Sequence, residues 1–111
     1  MFKVLINRIL KKEKAGGEVN LVLLNDAEIR KLNRKYRGKD KATDVLAFPM
    51  NEDGIVGDIA ISTETARKNA RRFGVNYREE MKRLVIHGTL HLLGYDHGEK
   101  MRHAEKIYKE L

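Results

Sequence analysis

Three histidines carry the first chemical possibility in this chain: His87 and His91, four residues apart, and His97, six further on. On a helix the first two imidazoles project from one face about one turn apart. A tetrahedral metal needs nitrogens converging to about 2 Å from one point, and this spacing supplies two without strain. Gly94 lets the chain leave the helix in a left-handed conformation and turn back past its own end. His97 then arrives where the returning chain reaches the open side of the same ion. Three neutral histidines leave a fourth position to water, the arrangement of a catalytic zinc site rather than a closed structural one. The expected cofactor is one Zn2+ ion on His87, His91 and His97 plus water. The competing reading is core histidines satisfied by local partners; unpaired imidazoles in so apolar a segment cost roughly 1–3 kcal/mol each.

The spelling His87-Gly88-x-x-His91-x-x-Gly94-x-x-His97 is close to H-E-x-x-H-x-x-G-x-x-H of the metzincin proteases. Ligand spacing and turn glycine match, but Gly88 stands where those enzymes carry their general base, which is typically worth ~10²–10⁴ in rate. Peptidase chemistry is disfavoured. Asp44, Asp58 and Asp96 are candidate partners for imidazole N–H groups, and equally candidate turn or capping carboxylates. The fourth histidine, His103, lies among charges and reads as solvated.

The elements that must position these groups follow from hydrophobic period and caps. Phe2, Leu5, Ile6 and Ile9 make a helical stripe that stops at Gly16-Gly17. Val19 to Leu24 reads as a short buried strand. Asn25 and Glu28 open a second helix with Ile29, Leu32 and Tyr36 on its stripe. Val45 to Phe48 is a strand that Pro49 ends or places at an edge. Asn51-Glu52-Asp53-Gly54 is turn chemistry, and Ile55 to Ile61 returns as its hairpin partner. Ser62 or Thr63 caps a helix that buries Ala66, Ala70 and Phe73 and turns Arg67, Lys68, Arg71 and Arg72 outward. Asn76 and Glu79 open the next helix, which carries no charge from Leu84 to Leu93 and so reads as central and buried. A last helix from about Glu99 aligns Met101, Ala104, Tyr108 and Leu111. The order predicts an α+β fold: a small mixed β-sheet packed against several helices, the central buried one carrying the histidines in a zincin-like site.

At 111 residues the chain is expected to form a single domain spanning 1–111. No apolar run is long enough to span a bilayer, and the N-terminus does not read as a signal peptide, so a cytoplasmic protein with no membrane partner is expected. Having no Cys excludes disulfides, iron–sulfur clusters, thiolate zinc sites and cysteine nucleophiles together. A net charge of +7 attracts polyanions, nucleic acid first among them. Arg30, Lys31, Arg34, Lys35, Arg37, Lys39 and Lys41, with the outer face from Arg67 to Arg72, offer a track for phosphates. With seven aromatics, several committed to the core, base stacking is not expected to dominate, and binding should weaken steeply with salt.

The string His87-Gly-Thr-Leu-His-Leu-Leu-Gly-Tyr-Asp-His97, with the segments from Leu32 to Pro49 and from Gly57 to Ser62, resembles the YbeY family of metal-dependent rRNA maturation endoribonucleases. The resemblance runs from about Val19 to the C-terminus. Ala42 stands where the family usually has Pro, and the stretch before Val19 looks short, which leaves one sheet edge uncovered. The resemblance implies a single-strand-specific endoribonuclease acting in ribosomal RNA processing, notably 16S 3′-end maturation, and in ribosome quality control. It implies RNA and the ribosome as partners, together with ribosome-associated proteins, and zinc on the three motif histidines. His87 and Arg37 would be the catalytic residues, Arg37 matching the family's arginine and clamping a phosphate whose charge grows in the transition state. Whether water or a ribose 2′-hydroxyl attacks stays open. Two other classes compete: a zinc-stabilised rRNA-binding module without nuclease activity, and another zinc hydrolase.

Overall fold

The structure, a computed structural model, describes residues 2–111. Eight elements follow the expected order: α1 (Lys3–Lys12), β1 (Glu18–Leu24), α2 (Asp26–Arg37), β2 (Val45–Glu52), β3 (Ile55–Ser62), α3 (Thr63–Phe73), α4 (Tyr77–Leu92) and α5 (Glu99–Lys109). Local chemistry sets most boundaries. The Asn25 side chain accepts from the Glu28 N–H at 2.8 Å while Glu28 Oε1 accepts from the Asn25 N–H at 3.0 Å, a complete capping box at the start of α2. Ser62 caps α3 by accepting from the Thr65 N–H, and Asn76 caps α4 by accepting from the Glu79 N–H. Asp53 and Gly54 both take positive φ in the tight turn between β2 and β3.

The sheet is three-stranded and mixed, ordered β1-β3-β2, with β1 parallel and β2 antiparallel to β3. Successive residues of a strand face opposite sides, and β3 divides accordingly. Ile59 and Ile61 pack with Met81, Leu84 and Val85 of α4 and with Ile6 and Leu10 of α1. Ala60 faces the other way and packs with Leu46 and with Ile29 of α2. A further cluster joins Ile86 and Leu90 of α4 to Ile9 of α1 and to Met101, Ala104 and Tyr108 of α5. Helix α4 thus lies between the sheet and α5, as its charge-free run requires.

Two expectations from sequence fail. Val19 to Leu24 is not buried, because β1 pairs on one side only; Val22 and Leu23 are exposed. Phe73 is not on the buried side of α3: Ala66 and Ala70 are buried, but the ring falls on the last helical residue, where the chain turns off at Gly74 and no element covers it. Tyr36 lies in α2 as its spacing predicts; it is exposed and meets Phe48 of β2 edge-on, ring centroids 5.4 Å apart.

The junction of α2, β3 and α3 is polar and tightly bonded. Asp26 Oδ1 accepts from the Ser62 and Thr65 hydroxyls, each at 2.5 Å, and Oδ2 accepts from Lys68 Nζ at 3.1 Å. The Ser62 bond foremost, then those from Thr65 and Lys68, hold the carboxyl below its ordinary range against the opposing effect of burial. A depressed native pKa means that the unfolded chain takes up the proton first. The contribution is therefore complete above the ordinary carboxylate pKa and is lost as pH falls through the native value. Asp26→Asn is expected to lose about 1–3 kcal/mol at neutral pH, with the gap to wild type closing in acid. Urea denaturation at both pH values checks this, and a gap that ignores pH would refute it.

Candidate metal centre

Helix α4 brings the first two histidines together as its period demands: His87 Nε2 and His91 Nε2 lie 3.1 Å apart. The helix closes with the Tyr95 N–H donating to the Leu90 carbonyl and the Gly94 N–H to the His91 carbonyl, both at 3.0 Å. That pairing is a Schellman ending, and Gly94 meets its left-handed requirement with φ +94°. The reversed chain delivers His97, whose ring centroid lies 5.1 Å from that of His91 and 5.7 Å from that of His87. One ligand nitrogen from each ring falls within 4.8 Å of the others. His87 and His91 are half-buried and His97 is exposed, so the cluster has a floor and an open side. A cleft of about 560 Å³ runs along residues 94–100.

These side chains fit a metal ion. Zinc–nitrogen bonds of about 2.0–2.1 Å at tetrahedral angles place ligand nitrogens about 3.3 Å apart, close to the 3.1 Å between His87 and His91. His97 sits on a turn able to close the remaining distance. Burial, then the neighbouring His87 and His97, push the His91 imidazole below its usual pKa, which keeps its lone pair free for an ion. On the far side of the His87 ring, Nδ1 lies 3.3 Å from Glu105 Oε2. A carboxylate behind a ligating imidazole fixes its tautomer and aims the other nitrogen inward.

Two supports hold this arrangement. The Glu13 carboxylate accepts from the hydroxyls of Tyr95, at 2.8 Å, and Tyr108, which ties the end of α1 to the exit turn and to α5. Burial first, then the bond to Glu13, raises the Tyr108 hydroxyl pKa; for Tyr95 the bond to Glu13 comes first. One turn before His87, Arg83 donates through Nε and Nη2 to both oxygens of Glu80, at 2.8 and 2.7 Å. Glu80 is only 1% exposed and also accepts from Asn69, which bonds Asp44 as well. The bond to Glu80 foremost, and the charges of Glu80, Asp44 and Glu105, hold the Arg83 pKa above its usual value against desolvation.

Of the residues singled out in sequence, the fold brings the three histidines together and places Asp96 beside His97 in the lining of the cleft. Arg37 is the last residue of α2 and is exposed; among the described residues no side-chain hydrogen bond or ion pair involves it. Asp44 bonds its own strand start and Asn69, Asp58 accepts from Asn20, and His103 is exposed as expected. The imidazole partner is Glu105, which sequence reasoning missed. The available signal was an acid beside buried Ala104, one helical turn from buried Met101.

A helix and its exit turn presenting three clustered imidazoles, backed by a carboxylate and packed on a small mixed sheet, define an α+β protein equipped to hold a metal ion. The chain belongs to the YbeY family, whose model, described as endoribonuclease YbeY, matches residues 1–110. It is 51% identical over 98 residues to an endoribonuclease YbeY of Aquifex aeolicus, covering 85% of this chain and 65% of that protein. A Thermotoga maritima protein of the same name is 37% identical over 105 residues, covering 95% and 70%. The solution structure of TM1509 from Thermotoga maritima superposes with a TM-score of 0.74 at 38% identity, covering 98% of this chain and 77% of that one. The chain spans about two thirds of the length of these named relatives, 65% and 70%. Among the described residues no helix is long and apolar enough to cross a membrane.

Proposed function

We propose that residues 1–111 act as one metal-dependent endoribonuclease domain that cuts single-stranded RNA in ribosomal RNA processing, including 16S 3′-end maturation and ribosome quality control. Its setting is the cytoplasm and its partners are ribosomal RNA, the ribosome and proteins associated with it. One observation carries the reading: His87, His91 and His97 converge within 4.8 Å, on a chain of net charge +7 belonging to this family. The names of the relatives support the RNA substrate.

His87, His91 and His97 hold the ion, which we take to be zinc because an all-imidazole site suits that metal and three ligands leave a position for water. When bound, such an ion supplies a Lewis acid for the phosphoryl oxygen and lowers the pKa of water. Glu105 keeps the His87 ring turned so that Nε2 faces the cluster. Arg37 offers a bidentate guanidinium to non-bridging phosphate oxygens, whose charge rises toward the transition state.

Cleavage of a labelled single-stranded RNA tests the reading. The RNA is expected to be cut, chelation to stop cutting and added zinc to restore it, with duplex RNA resisting. Product ends identify the attacking group, since a 2′,3′-cyclic phosphate requires the ribose hydroxyl. RNA left intact with every divalent ion overturns the proposal. Arg37→Lys keeps the charge and removes the fork; the cleavage rate is expected to fall about tenfold to hundredfold with RNA affinity little changed. Cutting at the wild-type rate takes Arg37 out of the reaction.

A further inference from the structure

One exposed aromatic ring, at the end of α3, has two guanidinium groups near it, one of them on α4, the helix that carries His87 and His91. Phe73 is 55% exposed at the end of α3, and the guanidinium carbons of Arg72 and Arg83 lie 5.8 and 5.9 Å from its ring centroid. Arg83 is not a loose surface cation. Both oxygens of Glu80 hold it, and Asp44 Oδ2 lies 3.7 Å from its Nη2, yet its side chain stays 46% exposed. A buried carboxylate is costly to desolvate and contributes little net stability. What this one does is lock a guanidinium in place with its outer side turned to solvent.

The position of that guanidinium matters. Arg83 precedes His87 by four residues on the same side of α4, about 5–6 Å between Cβ atoms. Glu105, which faces His87 Nδ1, is near enough for its charge to act on Arg83 as well. Arg83 therefore lies between Phe73, whose ring centroid is 5.9 Å from its guanidinium carbon, and His87, one helical turn further along α4.

We propose that Phe73, with Arg72 and Arg83 beside it, is a stacking site for one unpaired nucleobase of single-stranded RNA next to the metal centre. This deepens the endoribonuclease reading and rests on it. Aromatic faces stack on bases of any sequence, while guanidinium groups meet the phosphates and reinforce the ring. A base inside a duplex has both faces covered by its neighbours and cannot take the site. The preference for single strands then has a physical origin in this surface. It adds one stacked base to an interface expected to rest mainly on phosphate contacts, and uses a ring that is exposed rather than on the buried side of α3.

The test is binding of a short, uncleavable 2′-O-methyl oligoadenylate in the presence of chelator, read by fluorescence anisotropy. Phe73→Ala is expected to bind about tenfold more weakly, within the range for loss of one stacked base. Phe73→Leu, which keeps apolar bulk without a π face, is expected to bind as weakly, and Phe73→Trp as tightly as wild type. An abasic analogue with the same phosphates is expected to make no distinction between wild type and Phe73→Ala. Unchanged affinity of Phe73→Ala, rescue by Leu, an equal loss on the abasic analogue, or no binding by wild type overturns the site. Parallel cleavage assays separate the two ideas. Wild type that shows this binding pattern and never cuts RNA sinks the nuclease reading alone; wild type that cuts, with Phe73→Ala of unchanged affinity, sinks the stacking site alone.

Discussion

Gly88→Glu, which completes an H-E-x-x-H spelling in this chain, is expected to unfold the protein rather than give it peptidase activity. The residue after His87 points about 100° around the helix from it, and in α4 that direction is toward the sheet. A Cβ at position 88 would stand 2.8 Å from Ile59 Cγ2 and 3.3 Å from its Cγ1 and Cδ1. Ile59 is fully buried, with Leu84 and Val85 of α4 in the same cluster. Alanine alone forces the Ile59 side chain aside, an overpacking cost of about 1–3 kcal/mol. Glutamate adds four heavy atoms beyond Cβ, three of them a carboxylate set among aliphatic side chains, where an unpaired charge costs several kcal/mol more. Against a total stability of about 5–15 kcal/mol, that sum removes the native state. Circular dichroism and urea denaturation are expected to show a cooperative transition for Gly88→Ala at lower denaturant and none for Gly88→Glu. A folded Gly88→Glu protein that cleaves peptides would overturn the placement of this face.

Gly88 also marks the limit of what a motif conveys. The spacing of His87, His91 and His97 around Gly94 was legible because it is local: one helical turn and one left-handed exit fix it. The element order was legible for a similar reason, since caps such as Asn25 with Glu28 and stripes such as Met101, Ala104 and Tyr108 need no knowledge of distant residues. What sequence could not supply depends on partners far along the chain. Whether Val22 and Leu23 are covered depends on strand order, and β1 pairs with β3, some 38 residues away. Glu105 reaches His87 across 18 residues and Glu13 reaches Tyr108 across 95. Phe73 obeyed the hydrophobic period, and the period was right for Ala66 and Ala70. It failed at the one residue where the helix runs past its support.

His91→Ala is expected to remove both the ion and the cleavage activity while leaving the fold in place. His91 is the middle ring of the three: its centroid is 4.5 Å from that of His87 and 5.1 Å from that of His97, whereas those two stand 5.7 Å apart. Removing it leaves two imidazoles at the longest separation, one of them on an exposed turn. Loss of a residue that merely orients a ligand weakens metal binding by about 10–100-fold, so loss of the central ligand should exceed about a hundredfold. Cleavage should fall at least as far. Half-buried His91 faces the cluster rather than the sheet; Leu90 and Leu92 on either side carry the packing. With chelator present, the stability of His91→Ala should therefore lie within about 1 kcal/mol of wild type. Elemental analysis, RNA cleavage and urea denaturation on matched preparations check the three parts. Metal retained at full stoichiometry would place the ion elsewhere, and full activity in metal-free His91→Ala would separate the chemistry from the histidines altogether. Collapse of the fold in chelator would instead make His91 a packing residue, the reading its place in the three-histidine cluster argues against.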